Sequence, residues 1–144
     1  INNVSNVVLS NRGVLGQRQK ARLYLDPYND AGHGFYGEQS RHEVVRCITL
    51  EDIFIQYNVK HCDFLKIDCE GAEHDILSAT PLDVFRKISR IVLEYHKVEH
   101  GCEGVKPLIV LLSRRGFRVS VVPSKDEPGR GMLYAVRRAK AISR

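Results

Sequence analysis

The chain has 144 residues, the size of one domain, and its 43% hydrophobic and 27% charged side chains match an ordinary globular protein. That composition excludes disorder, a collagen-like repeat and a disulfide-dense miniprotein, and no apolar run approaches the ~18 residues that a membrane span needs. The net charge of +5 is uneven, with ten basic and two acidic side chains in residues 105–144 against twelve and fifteen in residues 1–104.

A basic stretch of this kind can attract phosphate or an anionic surface, but aromatic residues barely interleave it, so nucleic acid is not an expected partner. The four cysteines, Cys47, Cys62, Cys69 and Cys102, form no C-x-x-C pair and read as reduced thiols. No signal-peptide pattern is visible, so a cytoplasmic location is expected. The chain opens on Ile1 rather than Met and looks cut at that end.

In chain order, residues 7–9 read as a short apolar strand, 12–19 as a loop with two glycines, 21–25 as a strand closed by Asp26 and Pro27, and 28–37 as a glycine-rich loop. Residues 43–48, with two valines and an isoleucine, predict another strand. Thr49 stands three residues before Asp52, a capping signal for a helix that should run to about Asn58. Residues 62–67 then predict a strand in the middle of a parallel sheet.

Gly71 turns the chain into a helix with Glu73 and Asp75 in its first turn, where carboxylates suit the dipole. A second helical piece starts at Thr80 and Pro81, with Asp83 repeating the capping arrangement. Residues 91–95 predict a strand. An amphipathic helix follows, with Leu108, Ile109, Leu111 and Leu112 inward and Gly116 as terminator. Residues 117–122 and 132–136 predict strands that can pair as a hairpin. This alternation predicts an α/β fold with an open, mainly parallel sheet and an antiparallel C-terminal hairpin.

Open α/β sheets bind ligands beyond the carboxyl ends of their strands. Two strand ends carry ionisable groups there: Asp68 and Glu70 after the first, Glu94 and His96 after the second. If these strands are neighbours, four groups converge on one crevice, and carboxylates beside an imidazole are how a site obtains a base that works near neutral pH. The plain alternative is that Asp68 and Glu70 cap the next helix while Glu94 pairs with a Lys or Arg. Lys66 reads as pointing away from Asp68, in a structural role. Residues 32–37 match G-x-G-x-x-G literally, but the following residues predict a strand where the phosphate-binding version needs a helix, so a flexible loop is expected instead.

The segment 63–73 (DFLKIDCEGAE), followed by Ile76-Leu77 and by residues 91–96 (IVLEYH), closely resembles the FkbM family of S-adenosylmethionine-dependent methyltransferases. Residues 49–52 and the region from Asn6 to Gly16 resemble further family segments, so that the likeness covers most of residues 1–100. The resemblance implies a Rossmann-like class I methyltransferase sheet and S-adenosylmethionine as cofactor. It also implies O-methylation of a hydroxyl on a sugar or secondary-metabolite-like acceptor.

Family members open with a first strand and Gly-rich loop for the methionine part of the cofactor, then an acidic residue for the ribose. Neither segment is recognised in residues 1–144, which reads as a partial domain without the first two strands: a third-strand region over 1–48 and an alternating half over 49–144. The resemblance leaves Asn11 and Arg12 for an adenine contact. It leaves Asp68, Glu70, Glu94 and His96 for the substrate side, with His96 or Asp68 as the base and Glu70 and Glu94 orienting the acceptor or the imidazole. No residue is assigned to a metal, although a divalent ion held by the carboxylates stays open as an alternative. Exposed strand edges at the gap predict self-association.

Two other readings stand beside this one. In the first, a non-catalytic remnant binds an anionic partner through Arg114, Arg115, Arg118, Arg137, Arg138 and Lys140. In the second, a metal-assisted hydrolase uses the same four groups without a cofactor.

Overall fold

The computed structural model describes residues 5–28, 33–36, 40–96 and 104–139. Two sheets organise the chain. The first contains β1 (Gly13–Val14), β2 (Gln19–Tyr24) and β3 (His42–Ile48) in the order β1-β3-β2, with β3 parallel to β1 and antiparallel to β2. The second contains β4 (Leu65–Ile67), β5 (Arg90–Tyr95), β6 (Phe117–Pro123) and β7 (Gly131–Arg137) in the order β4-β5-β7-β6. Helices α1 (Leu50–Gln56), α2 (Glu73–Ala79), α3 (Leu82–Arg86) and α4 (Lys106–Arg114) connect the strands.

The α/β class and the C-terminal hairpin are as expected, but the parallel predominance is not. Among the described residues only β1 with β3 and β4 with β5 pair in parallel, whereas β7 runs antiparallel to both its neighbours. The reason is the hairpin, which inserts its second strand between β5 and β6. The strand expected over residues 7–9 is also corrected, since Val7, Val8 and Leu9 are exposed and outside any strand. Strand β1 lies instead within the stretch read as a loop. Gly13 carries no strand propensity, and only pairing with Cys47 of β3 makes it extended.

Elsewhere the local signals hold. Thr49 accepts from the Asp52 amide at 3.1 Å, and Asp52 accepts from the Thr49 amide at 3.0 Å, a reciprocal cap for α1. The second capping signal fails, because the Thr80 hydroxyl donates back to the Ile76 carbonyl at 2.7 Å and closes α2 rather than opening α3. Pro81 is the residue that precedes α3. The strand expected from residue 62 is interrupted: Cys62 bridges Ile88, and the ladder resumes only at Leu65. Helix α4 buries Leu108 and Leu112, with Ile109 and Leu111 half-buried, and Gly116 follows it at φ 91°.

The core sits between the second sheet and the helices. Phe85 of α3 and Phe117 of β6 are fully buried with ring centroids 6.2 Å apart at 69°, an edge-to-face pair worth about 1 kcal/mol beyond its area. Ile91, Leu93, Leu133 and Ala135 fill the inward face of β5 and β7.

Arg18 and Asp52 bind the first sheet to α1. The guanidinium Nε lies 2.9 Å from both carboxylate oxygens, and Nη2 adds a further contact to Oδ1. The Arg18 bond, then the Thr49 amide, holds the Asp52 carboxyl well below the usual carboxylate range. A group depressed in this way stabilises the fold above the unfolded-state pKa of about 4 and loses that contribution as pH falls below it. Wild-type protein should therefore lose more stability than Asp52→Asn between pH 5 and pH 2, as read from urea unfolding midpoints at each pH.

Gly131 sets a second expectation. A Cβ there would stand 2.5 Å from the Val122 carbonyl oxygen and 2.6 Å from the Tyr95 hydroxyl, inside the closing end of the hairpin. Gly131→Ala should cost about 1–3 kcal/mol through overpacking, measurable by denaturant titration.

Candidate functional site

The parallel pairing of β4 with β5 places Ile67 beside Leu93, so the residues that follow both strands emerge at the same sheet end. Asp68, Glu70, Glu94 and His96 do converge there. His96 Nε2 lies 3.3 Å from Glu70 Oε2 and 3.8 Å from Glu94 Oε1. A donor atom of Asp68, one of Glu70 and one of His96 all lie within 4.8 Å of one another. Burial grades the group, from the His96 side chain at 5% exposure through Glu70 at 24% to Asp68 at 37%.

Two members escaped the sequence reading. Glu73, at the start of α2, is buried and its Oε1 accepts from the Cys69 amide at 3.0 Å, from the Gly71 amide at 3.2 Å and from His96 Nδ1 at 3.1 Å. The sequence signal was its place in the first helical turn, but that signal announces only a favourable dipole. An oxygen already accepting two amide hydrogens meets the ring as an acceptor, so Nδ1 is the donor and the neutral imidazole has its lone pair on Nε2. Nε2 is buried and makes no hydrogen bond among the described residues.

Burial lowers the His96 pKa, but the Glu73 bond and the charges of Glu73 and Glu70 outweigh it, and the pKa lies above its ordinary value. Glu73 also acts on its other neighbour. Burial first, then the Glu73 charge, pushes the Cys69 thiol up to about 11, so this sulfur is an inert neighbour of the site rather than a nucleophile.

Arg130, from the β6–β7 connection, is the second missed residue. Its Nη2 donates to Glu70 Oε2 at 2.7 Å and its Nη1 to Glu127 Oε2 at 2.8 Å. The sixty residues between Glu70 and Arg130 hide this contact from any local pattern. An open cleft of about 300 Å3 lies along the same connection, lined by Glu94, Ser124, Glu127 and Arg130 among others.

Lys66 corrects another reading. It donates to Asp68 Oδ2 at 2.7 Å, because residues two apart along a strand share a face. The turn that presents Glu70 is also unusual: Glu70 itself has φ 46° and Gly71 φ 104°. A non-glycine residue in that region costs about 1–3 kcal/mol, which the bonds to Glu73 and Arg130 around it offset.

The glycine-rich segment is no phosphate cradle among its described residues. Gly34 bridges Tyr24 and its backbone stands against the Glu70 carbonyl, after which the chain enters β3. Asn11 and Arg12 stand apart from the cluster in their contacts: Asn11 is exposed, and Arg12 donates to Gln56 at 2.8 Å and to Ser10 at 3.1 Å. The basic C-terminal face is partly spent on structure. Arg137 donates to the Ile88 and Phe85 carbonyls and lies over the Phe117 ring, and Arg115 lies over Phe85. Arg118 and Arg138 remain exposed, while Lys140 lies outside the described residues.

Residues 4–119 match the family profile described as the methyltransferase FkbM domain. The chain is also similar to the AMB antimetabolite synthetase AmbE of Pseudomonas aeruginosa, at 33% identity over 141 residues. That alignment takes in 94% of this chain and 6% of the length of the relative. No solved structure matches the chain.

Removing Glu73 tests the hub of the cluster. Glu73→Ala strands three donors in a dry site and should cost at least about 2 kcal/mol in urea unfolding, whereas Glu73→Gln keeps an accepting oxygen and should cost less.

Proposed function

The chain belongs to the methyltransferase FkbM family, and from that premise we propose that it carries the acceptor side of an S-adenosylmethionine-dependent O-methyltransferase centre. The observation that supports this most is the convergence of Asp68, Glu70, Glu94 and His96 around one buried imidazole nitrogen that makes no hydrogen bond among the described residues. In this reading residues 1–144 are part of a single methyltransferase domain, and the acceptor is a hydroxyl of a sugar or secondary-metabolite-like compound entering by the cleft beside Glu94 and Arg130.

The donor set fits such a cofactor, since a carboxylate-rich face suits a cationic sulfonium. Asn11 and Arg12 serve the adenine end, remote in their contacts from the reacting centre. When bound, S-adenosylmethionine would supply an electrophilic methyl group for in-line attack by an acceptor oxygen, with the sulfur leaving as the thioether of S-adenosylhomocysteine. The protein's task is to hold that oxygen and receive its proton. Glu70 and Glu94 orient the hydroxyl, and His96 or Asp68 takes the proton, His96 through the nitrogen that Glu73 leaves free.

Arg118 and Arg138, which line an open pocket of about 400 Å3 with Ala139, support the alternative of an anionic partner, but among the described residues that face holds no buried polar atom left without a hydrogen bond.

The test is calorimetric titration of the full-length chain with S-adenosylhomocysteine, joined to methyl transfer from labelled cofactor to a panel of hydroxylated acceptors. Asp68→Asn and His96→Asn should each lower turnover by about 10²–10⁴-fold with cofactor affinity changed little. Cofactor binding that is absent, or turnover that ignores both substitutions, overturns the reading.

A further inference from the structure

We propose that Asp68, Glu70 and His96 form a binding site for a divalent first-row transition metal ion, with His96 Nε2 as the nitrogen ligand. Three independent features converge on it. The donor atoms stand within 4.8 Å of one another, and three atoms bound at about 2.0–2.2 Å to a shared ion stand about 3–4.3 Å apart, so closure asks for side-chain shifts of at most about 1–2 Å. The imidazole is oriented in advance: Nδ1 donates to Glu73, the arrangement by which ligating histidines are fixed in the correct tautomer. The third feature is Nε2 itself, a buried ring nitrogen 3.3 Å from Glu70 Oε2 that makes no hydrogen bond among the described residues, in a side chain 5% exposed.

Charge points the same way. Asp68, Glu70, Glu73 and Glu94 surround the imidazole, and Lys66 and Arg130 are the cations paired with the two carboxylate ligands. Among the described residues the carboxylates outnumber the cations, and a divalent ion would balance them. Each cation engages one oxygen of its carboxylate, Oδ2 of Asp68 or Oε2 of Glu70, and a carboxylate has lone pairs enough to bind an ion as well. Two oxygens and one imidazole nitrogen suit Mn2+, Co2+ or Zn2+ better than Mg2+, which prefers oxygen alone. Glu70 stands in the left-handed backbone region with its carboxylate 3.3 Å from His96 Nε2.

The inference deepens the methyl-transfer reading without depending on it. A hydroxyl resting on the ion would be acidified, and because the ion occupies Nε2, its proton would pass to a carboxylate of the cluster.

The experiment uses Mn2+ alone, without cofactor or acceptor, titrated into the full-length chain and followed by electron paramagnetic resonance. One ion per chain is expected. Asp68→Asn, Glu70→Gln and His96→Gln should each weaken binding by about 10–100-fold, and Asp83→Asn, an exposed carboxylate on α3, should leave it unchanged. Circular dichroism confirms that each variant is folded. In the wild type, nitrogen hyperfine coupling to bound Mn2+ should appear, and it should vanish in His96→Gln, a readout that a general loss of charge would not move. The proposal is overturned if wild-type protein takes up no Mn2+ at millimolar concentration, if the three variants bind as well as wild type, or if the bound ion shows no nitrogen coupling. Uptake of Mn2+ by a chain that transfers no methyl group would uphold the metal site while the methyltransferase reading fails.

Discussion

One buried carboxylate holds this site together. Glu73 Oε1 gathers two amide hydrogens from the turn after β4 and the Nδ1 hydrogen from the end of β5. A charge in a dry place is tolerated only when its lone pairs are met, and here the donors come from elements separated in sequence but joined in the sheet. The turn 68–71 can therefore adopt a left-handed residue at Glu70, and the His96 ring cannot spin. Both properties descend from a single acceptor.

Fixing Nδ1 has a chemical consequence at the opposite side of the ring. Nε2 is left facing Glu70 and Glu94, and among the described residues it makes no hydrogen bond. Proton acceptance and metal ligation are the two things such a nitrogen does well, and both serve the deprotonation of a hydroxyl. Arg130 adds a constraint from the far end of the fold, bridging Glu70 to Glu127 and so tying the β6–β7 connection to the turn that carries the acid. The same residue lines the open cleft along that connection.

The remainder of the molecule is scaffold for this arrangement. The reciprocal Thr49–Asp52 cap and the Arg18–Asp52 pair seat the first sheet on α1, and Gly16 donates to Asp75 at 2.7 Å, connecting the loop after β1 to the helix that carries Glu73. The basic C-terminal residues, conspicuous in composition, divide in the fold. Arg115 and Arg137 pack over aromatic rings, and Arg137 also terminates backbone carbonyls, so net charge overstates the cationic surface available to a partner.

By itself the amino-acid sequence determined the features that depend on neighbours a few residues away. The α1 cap, the stop at Gly116, the C-terminal hairpin and the apolar faces of β5 and α4 follow from spacing and propensity, and the DFLKIDCEGAE segment carried the family. Because β4 and β5 each end in ionisable residues, the convergence of Asp68, Glu70, Glu94 and His96 was also legible once the strands were taken as neighbours. What only the tertiary structure decided were contacts with no local signature. Gly13 becomes a strand through pairing with Cys47, β7 enters between β5 and β6 and sets most of the described second sheet antiparallel, and Arg130 reaches Glu70 from sixty residues away. Glu73 shows the difference most clearly. Local rules place a carboxylate in the first turn of a helix for its dipole, but only the sheet, by bringing His96 to 3.1 Å, makes it the acceptor that orients the ring. Propensity acts over a turn of chain, whereas burial and ion pairing act over distances in space that the order of residues does not encode.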